Sequence, residues 1–395
     1  MPMPSYSQRT RSRRDAKLGC SHIMHGMSRR FLARQHVRRF ASMGDFEKRA
    51  AAYWTIDRSA WLSGGKEMPL SPDKPGVASF LRVLGLLSPD ASMSADKLRK
   101  YHQINAMYLA IEHALAVPLR STSRQPLRLV DLCTGSSSHL ALLVSFAARR
   151  NWKRPAHVIA IDADPKRVET AKQRAMLLGF GPEALQYRTG AIREFTSWPE
   201  LYASSFAEAR DHAEPPHGVF ALHACDTATD EAIAFGVESA ADALLVAPCC
   251  QAELAASWKR MDRGHTLEPE DYGRGAASYA AAAAFVDDRH AFAAVHRMPH
   301  MRREVGASVT DSLRILLLRA SGYSVKVGDF VSSEHTPKNS LITATRQRTG
   351  ANGTPRTAKL ARAVGLAEYR ALRDATGGSG ITLARLLGVD EDESP

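Results

Sequence analysis

Cysteine is scarce in this chain: 395 residues hold five, at positions 20, 133, 225, 249 and 250. An odd count with two neighbours is no disulfide framework, and it points to a reducing compartment. No C-x-x-C pair occurs, so the spacing announces no metal site and none is expected. Long apolar runs are also missing. None approaches the ~20 residues that a membrane span requires, so no membrane partner is expected. Acids are nearly absent from residues 1–43, where nine Arg and Lys17 face Asp15 alone. That segment supplies +9 of the formal charge of +12, leaving the body after Met43 close to balance. Net charge is therefore weak evidence for nucleic-acid binding. Apolar residues at 44% and charged residues at 24% fit an ordinary soluble protein, and the length allows one large domain with appendages, or two.

What is present begins with that basic prefix. Residues 1–43 include SRRFLARQHVRRFAS, a stretch able to form a basic amphipathic helix, and Arg38-Arg39-Phe40 precedes Ala41-Ser42. The composition suits a mitochondrial transit peptide, which would place the protein in the matrix. The competing reading makes Met43 the true first residue of a cytoplasmic protein. Residues 44–93 then form an N-terminal helix and loops, where Trp54 and Trp61 are expected to pack onto the main domain. From Ser94 to Val117 an amphipathic helix carries Leu98, Tyr101, Ile104, Met107, Tyr108, Ile111 and Leu115 on one side. Its Lys97, Arg99 and Lys100 face either substrate or plain solvent.

The organising stretch runs from Pro126 to Phe180. It contains an apolar strand, a Gly/Ser turn (Asp131-Leu-Cys133-Thr-Gly135-Ser136-Ser137-Ser), an apolar helix, and a second strand ending on Asp162. Such a βαβ unit puts both strand ends on one edge of a parallel sheet, where ligands bind. A Gly/Ser turn lets the backbone approach a ligand closely, and a carboxylate after the second strand can accept two ribose hydroxyls. A dinucleotide oxidoreductase is one reading, but its G-x-G-x-x-G fingerprint is reduced here to Gly135.

The acidic-x-Cys133-x-Gly135-x-Ser137 loop resembles the acidic-x-Gly-x-Gly-x-Gly loop of class I S-adenosylmethionine-dependent methyltransferases, with Cys133 and Ser137 in place of two glycines. The resemblance implies an α/β, Rossmann-like fold with a seven-stranded, doubly wound, mostly parallel sheet. It implies S-adenosyl-L-methionine as cofactor, with Asp131, Cys133, Gly135, Ser136 and Asp162 binding it and the helix before the first strand covering its pocket. Ala191, after a third strand from Leu185 to Ala191, would lie by the adenine. Further strands are expected at His217–Leu222, Ala241–Ala247, Tyr323–Val331 and Ser340–Thr345, and a helix at Leu313–Ala320.

Four downstream segments, LHACDTATDEAI, APCCQAEL, TDSLRILLLRASGY and FVSSEHTPKNSLI, resemble a methyltransferase-like subgroup with a Cys-Cys pair after strand five, related to tRNA acceptor-stem ribose methyltransferases. The resemblance covers about Lys97 to Arg346 and makes RNA the expected partner; the oligomeric state stays open. It places His223 and Asp226 beside the methionine end of the cofactor, His223 as a proton acceptor. Asp226 equally suits a cap on the helix that follows it. Cys249 and Cys250 admit three readings: a nucleophile, a metal site with Cys225 and His223, or a pocket floor. His335 is a candidate base, and Lys338 and Asn339 candidate substrate ligands, on a loop that also reads as a simple turn. The expected divisions are the methyltransferase domain at 94–346 and a linker with a C-terminal helical tail at 347–395. The expected activity is methyl transfer to tRNA or rRNA. The alternatives are a protein or small-molecule methyltransferase, or a catalytically silent, cofactor-binding assembly factor.

Overall fold

The structure, a computed structural model, describes residues 43–389 except 136–138, 207–213, 223, 263–275, 288–289, 330–339 and 348–354. The basic prefix, Ser136, His223, His335, Lys338 and Asn339 therefore lie outside the described residues. Seven strands form the sheet: β1 (Leu127–Leu132), β2 (Ala156–Asp162), β3 (Leu185–Thr189), β4 (Gly218–Leu222), β5 (Ala243–Ala247), β6 (Tyr323–Asp329) and β7 (Ser340–Arg346). Their order is β3-β2-β1-β4-β5-β7-β6. The first five run parallel, and β7 pairs antiparallel with both β5 and β6. This is an α/β fold of class I methyltransferase type, as expected. The strand order reverses between β1 and β4, which is where such a sheet opens a crevice.

The parallel strands are buried on both faces, so they carry near-continuous apolar runs with alternate residues serving opposite cores. Leu127, Leu129, Val158, Ala160 and Phe220 point into one core. Val130, Leu132, Ile159, Ile161, Val219 and Ala221 point into the other. The first face is covered by α1 (Ala95–Ala114), α2 (His139–Ala147) and α3 (Pro165–Leu177). The second is covered by α4 (Thr227–Glu238), α5 (Glu253–Asp262), α6 (Pro299–Ala320), α7 (Pro355–Ala375) and α8 (Thr382–Leu386).

Three sequence expectations need correction. Trp54 is buried and donates from its indole to the Ala91 carbonyl, but Trp61 is 76% exposed. Its helix, Ile56–Ser63, turns Ser59 and Leu62 inward, which leaves Trp61 on the outer side. The helix expected at Leu313–Ala320 is the end of the 22-residue α6, which begins at Pro299 and so carries Arg302 and Asp311 as well. The C-terminal helices are more than a tail: Tyr369, Ile381 and Leu383 are buried in the second core, and the Trp258 indole donates to the Thr376 carbonyl. Among the described residues, no helix is long and apolar enough to cross a membrane.

Candidate active site

The turn after β1 is shaped by backbone conformation. Cys133 and Gly135 both have positive φ, 61° and 66°. A side chain there costs about 1–2 kcal/mol, so Cys133 keeps the backbone of a glycine without its freedom. The Gly135 amide donates to Asp162 Oδ2 at 2.6 Å, and the Asp164 amide to Asp162 Oδ1 at 2.9 Å. The acid ending β2 thus holds the turn after β1 in place. A carboxylate has about four acceptor positions, so the two amides leave room for further donors, with the Arg167 guanidinium 3.9 Å from Oδ1.

Asp131 closes the floor. It is fully buried in β1, and Oδ2 accepts the Ala141 amide in the first turn of α2 at 3.0 Å. Burial pushes its carboxyl up to about 7, against the opposing effect of the Ala141 and Thr134 hydrogen bonds and with help from the charge of Asp162. A cation placed beside it would restore the carboxylate. Burial also pushes the Cys133 thiol up to about 12, with Asp162 and Asp131 adding to the effect, so Cys133 is an inert wall rather than a thiolate.

These groups converge on a cavity of about 460 Å³, a volume suited to a small cofactor. Asp131, Cys133, Gly135 and Asp162 all line it. It is roofed by Lys100, Gln103, Ile104 and Met107 of α1, with His139, Leu140 and Leu143 of α2 on one side and Arg167 of α3 on another. Ile104 and Met107 were legible as the apolar stripe of α1; His139 and Arg167 were not singled out by any motif. Burial holds the Lys100 ammonium below its ordinary pKa. The cavity offers an S-adenosylmethionine-sized ligand a roof that is apolar at Ile104 and Met107 and polar at Lys100 and Gln103, with the carboxyl groups of Asp131 and Asp162 below.

Two expected residues stand elsewhere. Ala191 lies outside the cavity wall, because β3 ends at Thr189 and the Ala191 amide donates to Glu194 Oε1. Asp226 also lies outside the wall, and it does not cap the helix that follows it. Its Oδ1 instead accepts the amides of Ala252 (2.9 Å) and Glu253 (3.2 Å), which caps α5. Its amide donates to the Cys250 carbonyl at 2.8 Å. Holding both contacts leaves Asp226 at φ 49°, ψ −118°, a strained conformation for a side-chain-bearing residue. Arg314 secures it: one nitrogen donates to the Asp226 carbonyl at 2.9 Å while the guanidinium grips Asp230 at 2.8–2.9 Å. Burial works against the Arg314 charge, but the Asp230 and Asp311 carboxylates outweigh it and raise its pKa.

Cys225, Cys249 and Cys250 meet at the ends of β4 and β5. Burial first, and then the neighbouring thiols, push the Cys249 thiol up to about 12. A nucleophilic cysteine needs the opposite shift. Beyond them opens a groove of about 1050 Å³ between α5 and α6, carrying exposed Lys259 and Arg303. Glu304 and Asp311 also line it, the latter bonded to Gln251 and Arg314. Cys225 belongs to the cavity wall and Cys250 to the groove wall, so the thiols mark where the two meet.

Residues 99–257 match the family model described as a methyltransferase domain. No match was found among curated proteins. Solved structures with some likeness include an O-methyltransferase family protein from Burkholderia thailandensis, 12% identical with a TM-score of 0.28, over 64% of this chain and 60% of that one. Another is magnesium protoporphyrin IX methyltransferase from Synechocystis PCC 6803 with bound S-adenosylhomocysteine, 14% identical, TM-score 0.33, over 69% of this chain and 95% of that one. A third is the methyltransferase domain of the citrinin polyketide synthase, 12% identical, TM-score 0.34, over 73% and 65%.

Proposed function

We infer that this chain, an S-adenosylmethionine-dependent methyltransferase with the class I fold, methylates RNA laid across the groove beside its cofactor cavity. Bound S-adenosylmethionine supplies an activated methyl group on a sulfonium sulfur. The chain's own residues have a narrower task. Asp162 would hold the ribose hydroxyls, Gly135 would bring the backbone close, and Asp131 would face a cationic part of the cofactor. Methyl transfer from a sulfonium is already favourable, so alignment of donor and acceptor supplies most of the acceleration.

The observation that carries the RNA reading is the groove. It is open, it mixes polar and apolar lining, it presents Lys259 and Arg303 to solvent beside Glu304, and it adjoins the cofactor cavity. A closed apolar pocket would suit a small acceptor better. A phosphate backbone, by contrast, is recognised by exposed cations on an open surface.

The test is incubation with methyl-labelled S-adenosylmethionine and separated RNA, protein and small-molecule fractions of a cell extract. Label is expected in RNA, lost when Lys259 and Arg303 are both changed to Glu. Label confined to protein or small molecules would overturn the RNA reading. Calorimetry of Asp162→Ala checks the cofactor assignment: affinity for S-adenosylmethionine should fall about ten- to a hundredfold, as for a lost charged hydrogen bond.

A further inference from the structure

Cys225 Sγ lies 3.5 Å from Cys249 Sγ, and Cys250 Sγ lies 3.6 Å from Cys249 Sγ. All three sulfurs fall within 4.8 Å of one another. Thiolates bound about 2.3 Å from a tetrahedral zinc ion stand about 3.8 Å apart. Two of the three sulfur separations are thus already close to the edge length of such a tetrahedron, and the third is within 4.8 Å. We propose that Cys225, Cys249 and Cys250 form a three-thiolate site for Zn²⁺ at the junction of the cofactor cavity and the groove.

Convergence of three thiols from two loops is not left to chance. The Asp226 amide ties its loop to the Cys250 carbonyl, and the Asp226 carboxylate ties it again to the Ala252 and Glu253 amides. Those bonds fall at Cys250 and just after it on one loop, and beside Cys225 on the other. They are maintained although Asp226 has to adopt a strained backbone, which Arg314 braces from behind. Strain that persists only because its surroundings over-determine it is a mark of a functional position. The chemistry fits as well. Three sulfurs form a soft donor set that favours zinc over calcium or magnesium. Binding releases the thiol protons to solvent and leaves thiolates on the metal. Cys225 and Cys250 are exposed, so the fourth position opens outward, as in zinc sites that bind water or a substrate atom. The proposal rests on the loops and not on the cofactor, and it is tested apart from methyl transfer.

The full chain is purified under reducing conditions from cells supplied with zinc, and its metal content is measured. One equivalent of zinc is expected, with most of it lost from Cys225→Ser, Cys249→Ser and Cys250→Ser. Stripped wild-type protein titrated with Cd²⁺ should develop a thiolate-to-metal charge-transfer band that saturates at one equivalent, and zinc should protect the three thiols from maleimide. This arm needs no variant to fold. Folded wild-type protein that holds no zinc and gives no band with Cd²⁺ overturns the site. So does zinc retained by the triple serine variant, or an intact mass showing Cys225 and Cys249 joined as a disulfide.

Discussion

Asp131 carries the tension of the cofactor site in one side chain. Its carboxyl is raised to about 7 in the folded protein, mainly by burial, against 3.8 ordinarily. In the cofactor-free protein the unfolded chain therefore releases this proton near pH 4 and the folded chain near pH 7. The stability contributed by the protonated form is present below pH 4 and is lost as pH rises to about 7. A cationic cofactor needs the carboxylate, so affinity for S-adenosylmethionine should rise as pH passes upward through about 7. Asp131→Asn keeps an acceptor for the Ala141 amide and removes the charge. The variant should be more stable than wild type without cofactor at pH 8, by roughly 1–2 kcal/mol in urea titration. It should also bind cofactor about tenfold more weakly and with no pH dependence between 6 and 8. A binding profile that still bends near pH 7 would show that Asp131 is not the titrating group.

At the scale of elements, α4, α5 and α6 meet through one buried ion pair. Arg314 of α6 and Asp230 of α4 are both fully buried, and Asp226 links them to the start of α5. Such a pair is weak evidence for net stability, because desolvating two charges offsets most of their attraction. Breaking it is another matter. Burial already raises the Asp230 carboxyl to about 6 against the pull of Arg314. Arg314→Leu therefore leaves a buried carboxyl group that must take up a proton and lose its partner, and should cost about 3–5 kcal/mol. The double variant Arg314→Leu/Asp230→Leu should recover a large part of that loss in chemical denaturation. If Arg314 is also the brace on Asp226, the double variant will still be deficient in methyl transfer despite its recovered stability. Full activity in the stabilised double variant would mean that the brace is dispensable.

The whole molecule is larger than the matched methyltransferase domain. The Glu253 carboxylate accepts from the Thr382 amide and hydroxyl and from Arg385, and Ser257 bonds Ser379. These contacts fasten α5, one wall of the groove, to the C-terminal helices. Removing residues 355–395 would expose the fully buried Trp258 and empty the place of Tyr369. Trp258→Ala alone should cost about 3–5 kcal/mol, and the truncated chain should lose the cooperative thermal transition of the intact protein. A truncated chain that melts at the same temperature would show the C-terminal helices to be an independent appendage.

The sequence by itself determined the sheet and the cofactor edge. The positions of the central strands β1, β2, β4 and β5 followed from apolar runs, since a strand buried on both faces has no other composition to offer, and Asp131, Gly135 and Asp162 followed from the strand ends. Those signals are local, so they survive without coordinates. Only the tertiary structure decided what Asp226 does, because its partners Ala252, Glu253 and Arg314 lie 26 to 88 residues away. The same holds for the three thiols. Two are adjacent and one is 24 residues earlier, a spacing that announces nothing. They become a cluster only because parallel β4 and β5 end side by side, which puts distant residues within bonding distance.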